Sequence, residues 1–160
     1  MSNKPLVIII LGSKADLEHG KKIADACGTF GLESVLRIAS AHKTPEHALS
    51  MLRKYEADAR PKVYITVAGR SNALSGFTDG SVSAPVIACP PPSEAFGGAD
   101  VFSSLRMPSG IGVAVVLEPV NAALLAAKIF GVANAEARDQ VRVSQKRAAV
   151  KIEEDDKSVQ

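Results

Sequence analysis

Six consecutive apolar residues, Leu-Val-Ile-Ile-Ile-Leu at 6–11, narrow the fold more than any other part of the chain. A strand with one wet face alternates apolar and polar residues, so an unbroken Val/Ile/Leu run reads as a strand buried on both faces. Similar runs follow at Ser34–Ala39, Lys62–Ala68, Pro85–Cys89 and Gly112–Leu117. Between the first three lie Asp16–Phe30 and Pro45–Ala57, whose apolar positions are spaced as in amphipathic helices. Strand and helix in alternation predict an α/β fold with a central parallel sheet and crossover helices.

Helix starts are marked by capping chemistry. Ser13-Lys14-Ala15-Asp16 has the Ser-x-x-Asp pattern of a capping box, and Thr44-Pro45 sets a capping hydroxyl before a proline at the first helical position. Pro119 opens an apolar helix, Asn121–Phe130, that Gly131 ends. Its Ala122, Ala123, Ala126 and Ala127 permit close approach of another backbone, within the subunit or between subunits. Residues 134–154 read as a last, polar helix with sparse apolar positions. Two readings of it stay open: packing across a neighbouring subunit, or a solvated helix with a frayed acidic end. Pro90–Pro108, rich in Pro, Ser and Gly, is the one long irregular stretch, and loops of that length are usually functional or interfacial.

Bulk properties exclude several classes. The 160 residues fit one domain and 46% of them are hydrophobic, which argues against disorder. No apolar run approaches the ~20 residues of a membrane span, and no signal-peptide pattern is present, so a cytoplasmic protein is expected. Cys27 and Cys89 are too few and too far apart for a disulfide framework or a zinc site. With a net charge of +2, aromatics at 4% and no Trp, the chain lacks the basic stripe and stacking residues of a nucleic-acid binder.

Chemistry concentrates at three strand ends, where open α/β folds bind ligands. The first, Gly12-Ser13-Lys14-Ala15-Asp16, offers a helix N-terminus and a hydroxyl to an anion, and Asp16 to a ribose diol. The same residues also suit simple helix capping; the stretch is neither a Walker loop nor a GxGxxG fingerprint. At the second, Ser40 and Lys43 suit a phosphate, with His42 between them as a proton carrier near neutrality. The bland reading of His42 is a turn residue bonded to a backbone carbonyl. The third end, Gly69-Arg70-Ser71-Asn72, follows strand three with glycine and small polar residues that present backbone N–H groups. His19 and His47 fall within helical patterns and are expected at the surface. These residues alone describe a site for a phosphorylated small molecule with one acid–base histidine and no cofactor or metal.

Several stretches resemble the phosphoribosylaminoimidazole carboxylase family of purine biosynthesis. They are Gly-Ser-x-x-Asp at 12–16, Ser-Ala-His-Lys-Thr-Pro at 40–45, Ala-Gly-Arg-Ser-Asn-Ala-Leu at 68–74, Cys-Pro-Pro-Pro at 89–92, Ser-Ser-Leu-Arg-Met-Pro-Ser-Gly at 103–110 and Asn-Ala-Ala-Leu-Leu-Ala-Ala-Lys-Ile-Phe at 121–130. The match runs in order through nearly the whole chain. It implies a flavodoxin-like three-layer α/β/α fold, an assembly into homo-octamers with sites between subunits, and a lyase that needs no cofactor.

Within the family, class I members are N5-carboxyaminoimidazole ribonucleotide mutases. They typically carry Gly-Gly-Ala-Ala-His-Leu after strand three and Arg after the histidine of the second motif. This chain has Gly69-Arg70-Ser71-Asn72-Ala73-Leu74 and Lys43, which resemble class II, the enzymes that join free CO2 to 5-aminoimidazole ribonucleotide (AIR). Class II domains also occur fused to a succinocarboxamide synthetase in animals; with five residues before strand one, the stand-alone bacterial type is expected here. By resemblance, Ser13, Ser40 and Lys43 hold the substrate phosphate, Asp16 the ribose, and His42 is the acid–base group. The backbone of Gly69, Ser71 and Asn72 lines the CO2 pocket, and Met107 and Pro108 belong to the wall around the aminoimidazole, supplied from the same or a neighbouring subunit. Ala15 stands where many members have a second serine, so one hydroxyl contact to phosphate is missing. A mutase, or a non-catalytic nucleotide-binding module on the same scaffold, are the alternatives.

Overall fold

The computed structural model describes residues 4–160. Five strands form one parallel sheet: β1 (Leu6–Leu11), β2 (Glu33–Ile38), β3 (Lys62–Val67), β4 (Val86–Ala88) and β5 (Ala114–Val115). Their order is β2-β1-β3-β4-β5, so the chain steps from β1 to one side, then crosses back and continues on the other. β1 is the pivot of that reversal. Its six residues are all fully buried, as an apolar run without alternation requires.

Six helices cover the sheet: α1 (Leu17–Thr29), α2 (Pro45–Glu56), α3 (Ala73–Asp79), α4 (Phe102–Leu105), α5 (Pro119–Gly131) and α6 (Ala135–Ser158). Successive side chains of β1 point to opposite faces. Val7, Ile9 and Leu11 enter a core with Ile23 and Cys27 of α1 and the alanines of α5. Leu6, Ile8 and Ile10 enter a second core with Ala48, Met51 and Leu52 of α2 and Leu74 of α3. This is the parallel α/β sheet that the alternation of strand and helix predicts, in the flavodoxin-like α/β/α arrangement that the resemblance implies. Ala122, Ala123, Ala126 and Ala127 are fully buried within the subunit, where they let α5 lie close to its neighbours.

The differences from expectation have local causes. β5 is two residues rather than the six of Gly112–Leu117: its one neighbour, β4, is itself only three residues long, and the two pair only through Ile87 with Ala114 and Ala88 with Val115. α3 is absent from the periodicity reading: it is only seven residues long and contains Gly76, a poor helix former. Its start is nonetheless signalled by Asn72, whose Oδ1 accepts the Ser75 N–H at 3.2 Å. Thr44 does not cap α2. Its Oγ1 instead accepts the Ser40 N–H at 3.0 Å and lies 3.2 Å from the Ser40 carbonyl, closing the turn before the helix. The Pro90–Pro108 stretch holds 3-10 turns at Ala95–Val101 and then α4. α6 continues to Ser158; of its side chains only Ala137 and Val141 are buried.

Glu56, the last residue of α2, ties three elements together. Its carboxylate accepts the Tyr64 hydroxyl of β3 at 3.0 Å, and the Ser83 N–H and hydroxyl at 3.0 and 2.9 Å. Burial by itself raises the pKa, but the Ser83 and Tyr64 hydrogen bonds, with Lys62 nearby, outweigh it, and the group titrates below an ordinary glutamate. A depressed carboxylate pKa contributes stability above the unfolded value that is lost as the pH falls through the folded one. Glu56→Gln is therefore expected to cost about 1 kcal/mol at pH 7, the low end for a partly exposed charged hydrogen-bond acceptor. The gap between variant and wild type should close as the pH drops below the ordinary glutamate value of ~4.3. Urea unfolding at several pH values checks this; a gap that stays constant down to pH 3 would contradict it.

Candidate active site

The register of the sheet builds the site. Leu11, the last residue of β1, pairs with Ile38 at the end of β2 and with Val67 at the end of β3. Three strands thus stop at one level, on either side of the point where the strand order reverses. At such a switch point the loops diverge and leave a crevice. Backbone bonds continue the alignment one step further: Gly12 N–H donates to Val67 O at 2.8 Å and Ala39 N–H to Leu11 O at 3.0 Å.

A cleft of about 570 Å³ opens above these ends. It brings together Ser13 and Asp16, Ser40, His42 and Lys43, and Gly69 and Ser71. Its far wall comes from the long loop, through Pro91–Ser93 and Asp100. Three of the ten residues singled out from sequence are not in its lining. Asn72 is 4% exposed and turned inward: its N–H donates to Ser103 Oγ at 3.0 Å and its Nδ2 to Ser104 Oγ at 2.9 Å. The expected nest of N–H groups is therefore narrower, since Asn72 spends its own on α4. Met107 lies instead over Gly76 of α3, where an added Cβ would come within 3.2 Å of Met107 Sδ. Pro108 likewise stands away from this subunit's cleft.

Ser13 and Asp16 make the reciprocal cap that their spacing predicts. Asp16 Oδ2 accepts the Ser13 N–H at 2.9 Å and the Ser13 hydroxyl at 3.0 Å, while Ser13 Oγ accepts the Ala15 N–H at 3.2 Å. On the second loop, Ser40 Oγ accepts the Lys43 N–H at 3.2 Å, which holds Lys43 at the cleft rim. His42 and Lys43 are exposed, and the imidazole has no hydrogen-bond partner among the described residues. A turn histidine bonded to a carbonyl, the bland reading, is not what is found.

The third loop is held under strain. Arg70 has φ +57°, a left-handed conformation uncommon for a residue with a Cβ. Ser103 Oγ lies 2.8 Å from the Arg70 carbonyl and 2.7 Å from the Asp100 carbonyl, so α4 clamps the loop in this shape. Strain of this kind persists where surrounding contacts over-determine it, and such places are often functional sites.

A larger cavity of about 800 Å³ adjoins the cleft across Gly69 and Pro91–Ser93, but neither the 12–16 nor the 40–45 loop reaches it. His19 lines it, half-buried rather than at the surface as expected, with Nε2 3.4 Å from Cys89 Sγ. Burial, with Lys22 nearby, lowers the His19 pKa below the ordinary value. Burial pushes the thiols of Cys27 and Cys89 up to about 12. Among the described residues no group of three or more His, Cys, Asp or Glu is arranged to hold a metal ion, and no helix is long and apolar enough to cross a membrane. Both thiols are fully buried. Neither should react appreciably with a thiol reagent at pH 8 in the native protein, and both should react in denaturant; one fast native equivalent would contradict this account.

Comparison with known proteins adds an independent line. A family model described as AIR carboxylase matches residues 6–151. A phosphoribosylaminoimidazole carboxylase of Treponema denticola is 61% identical over 153 residues, which cover 96% of each chain. One of Archaeoglobus fulgidus is 56% identical over 84% of this chain and 73% of its own. A crystal structure of Treponema denticola PurE superposes with a TM-score of 0.97 at 59% identity, covering 98% of this chain and 99% of that one.

Proposed function

The chain belongs to the AIR carboxylase family, and from that premise we propose that it joins CO2 to AIR, giving 4-carboxy-5-aminoimidazole ribonucleotide in purine biosynthesis. One observation carries the reading: three level strand ends gather Ser13, Asp16, Ser40, His42, Lys43, Gly69 and Ser71 into a single cleft. Use of free CO2, rather than of N5-carboxyaminoimidazole ribonucleotide, is supported by Gly69-Arg70-Ser71-Asn72-Ala73-Leu74, a stretch without histidine, and by Lys43 after His42.

The phosphate sits against Ser13, Ser40 and Lys43, where the Ser40 hydroxyl and a mobile cation meet a helix start and the Ser13 hydroxyl turns from Asp16 Oδ2 to donate to it. Asp16 has one carboxylate oxygen committed to its cap and turns the other to the ribose. The aminoimidazole then lies towards Gly69 and Ser71. Its C4 behaves as an enamine carbon: the amino nitrogen supplies electron density, C4 forms a bond to the CO2 carbon, and a C–O π pair moves onto oxygen. Backbone N–H groups of the 69–71 turn face the carboxylate charge as it develops. C4 now carries both hydrogen and carboxylate, and loss of the proton to His42 restores the aromatic ring. Run backwards, the same imidazole donates the proton before CO2 leaves.

The cleft lies open along one side, and we infer that neighbouring subunits complete it in a homo-octamer. Large apolar side chains stand exposed on the long loop beside it, with Phe96 at 88% and Phe102 at 69%, and on α6 with Ile152 at 68%. Exposed apolar clusters of this kind mark interaction surfaces. Met107 and Pro108 reach a substrate only in such an assembly, from an adjacent copy. The protein acts in the cytoplasm, where purine nucleotides are made.

His42→Asn is expected to lower carboxylation by ~10²–10⁴-fold while AIR still binds, the range for loss of a general base. Near-wild-type turnover would remove His42 from the mechanism. Lys43→Met should act mainly on KM for AIR, raising it ~10-fold or more, as loss of a charged phosphate contact does; an unchanged KM would refute the phosphate assignment.

A further inference from the structure

Asp100 carries a carboxylate oxygen that no described residue satisfies. Its Oδ2 is buried with no hydrogen-bond partner among the described residues. Arg70 lines the same cleft, yet no ion pair within 4.0 Å joins the two. A buried carboxylate oxygen without a donor is unfavourable, and such atoms are kept where a ligand or a reaction supplies what is missing. Thr78 Oγ1 is the other such side-chain atom among the described residues, on α3 and outside the cleft.

The position of Asp100 says what the missing donor is. Asp100 and Asp16 are the two carboxylates that line the cleft, Asp16 on the 12–16 loop and Asp100 on the long loop, where it also borders the adjoining cavity of about 800 Å³. Asp16 belongs to the phosphate and ribose end, next to Ser13, and one of its oxygens is already spent on the cap. Asp100 stands with Gly69, Ser71 and Pro91–Ser93, the end assigned to the ring. Its backbone is tied through Ser103 Oγ to the carbonyl of Arg70, so the carboxylate keeps a fixed relation to the turn that faces CO2. Of the groups on AIR, the ribose hydroxyls fall to Asp16, and the donor left at the ring end is the 5-amino group.

Resting on the function proposed above, we propose that Asp100 accepts a hydrogen bond from the 5-amino group of AIR. As the C4–CO2 bond forms, the amino lone pair is drawn into the ring and positive charge builds on that nitrogen. A fixed carboxylate stabilises this charge while the backbone N–H groups stabilise the opposite charge on the carboxyl oxygens. No electrons or protons are exchanged with Asp100; the C4 proton still leaves to His42. The same contact selects for substrates that carry the amine.

The test compares binding of AIR, and of the analogue that has hydrogen in place of the amino group (imidazole ribonucleotide), by titration calorimetry without CO2. Wild type should bind AIR ~10-fold or more tightly than the analogue, the size of one charge-assisted hydrogen bond. Asp100→Asn, which keeps an acceptor but loses the charge, should reduce that preference by weakening AIR alone, leave the analogue within twofold, and lower kcat as well. Equal affinity of wild type for the two ligands overturns the proposal without reference to any variant. So does an Asp100→Asn protein that loses both ligands equally or loses its assembly in sedimentation, which would make the residue structural. Failure of wild type to bind either ligand would instead overturn the function on which the inference stands, and the inference with it.

Discussion

Everything at the candidate site depends on β1 being pinned in register between two parallel partners. Leu6 to Leu11 are buried on both faces, so the strand has no polar side to slide towards and no edge to slip along. A one-residue shift would exchange the two cores, sending Val7, Ile9 and Leu11 to the α2 side and Ile8 and Ile10 to the α1 side. Because the register holds, β1, β2 and β3 end level, and the loops at 12–16, 40–45 and 69–72 emerge side by side. A cleft made of three separate loops is thereby fixed by hydrophobic burial several residues away.

The second constraint is the clamp of α4 on the third loop. Ser103 and Ser104 accept the Asn72 N–H and Nδ2, and the Ser103 hydroxyl lies within reach of both the Arg70 and Asp100 carbonyls, so that Arg70 is held at a positive φ. Pre-organised backbone donors are effective because they need not reorient as charge develops. The long loop, which has little regular structure, thus earns its length: it walls the cleft with Pro91–Ser93, carries Asp100, and fixes the turn opposite.

Much of this was legible in the sequence because it rests on local signals. An unbroken apolar run identifies β1, Ser13 and Asp16 have the spacing of a capping box, and Pro119 and Gly131 bound α5. Four of the five strands lie within a residue or so of their expected ends. What was not legible depends on tertiary contacts. Asn72 has the same residue type whether it lines a pocket or caps a short helix, and only the serines of α4, some thirty residues on, decide for the cap. His19 sits at a helical position that looks solvent-facing, and Cys89, seventy residues away, makes it half-buried. Asp100 in a Gly-rich loop carries no pattern at all; it becomes visible only when its oxygen is found buried and unpartnered.

The central claim is that this cleft joins free CO2 to AIR. It is tested most directly by one product assay with two feeds, each with a control lacking enzyme. One feed is AIR with dissolved CO2, the other freshly made N5-carboxyaminoimidazole ribonucleotide. The account predicts CO2-dependent formation of 4-carboxy-5-aminoimidazole ribonucleotide from the first and no acceleration on the second. Turnover of the second feed alone would contradict it and make the chain a mutase despite Gly69-Arg70-Ser71-Asn72. Silence on both would leave a binding module on an enzyme's scaffold.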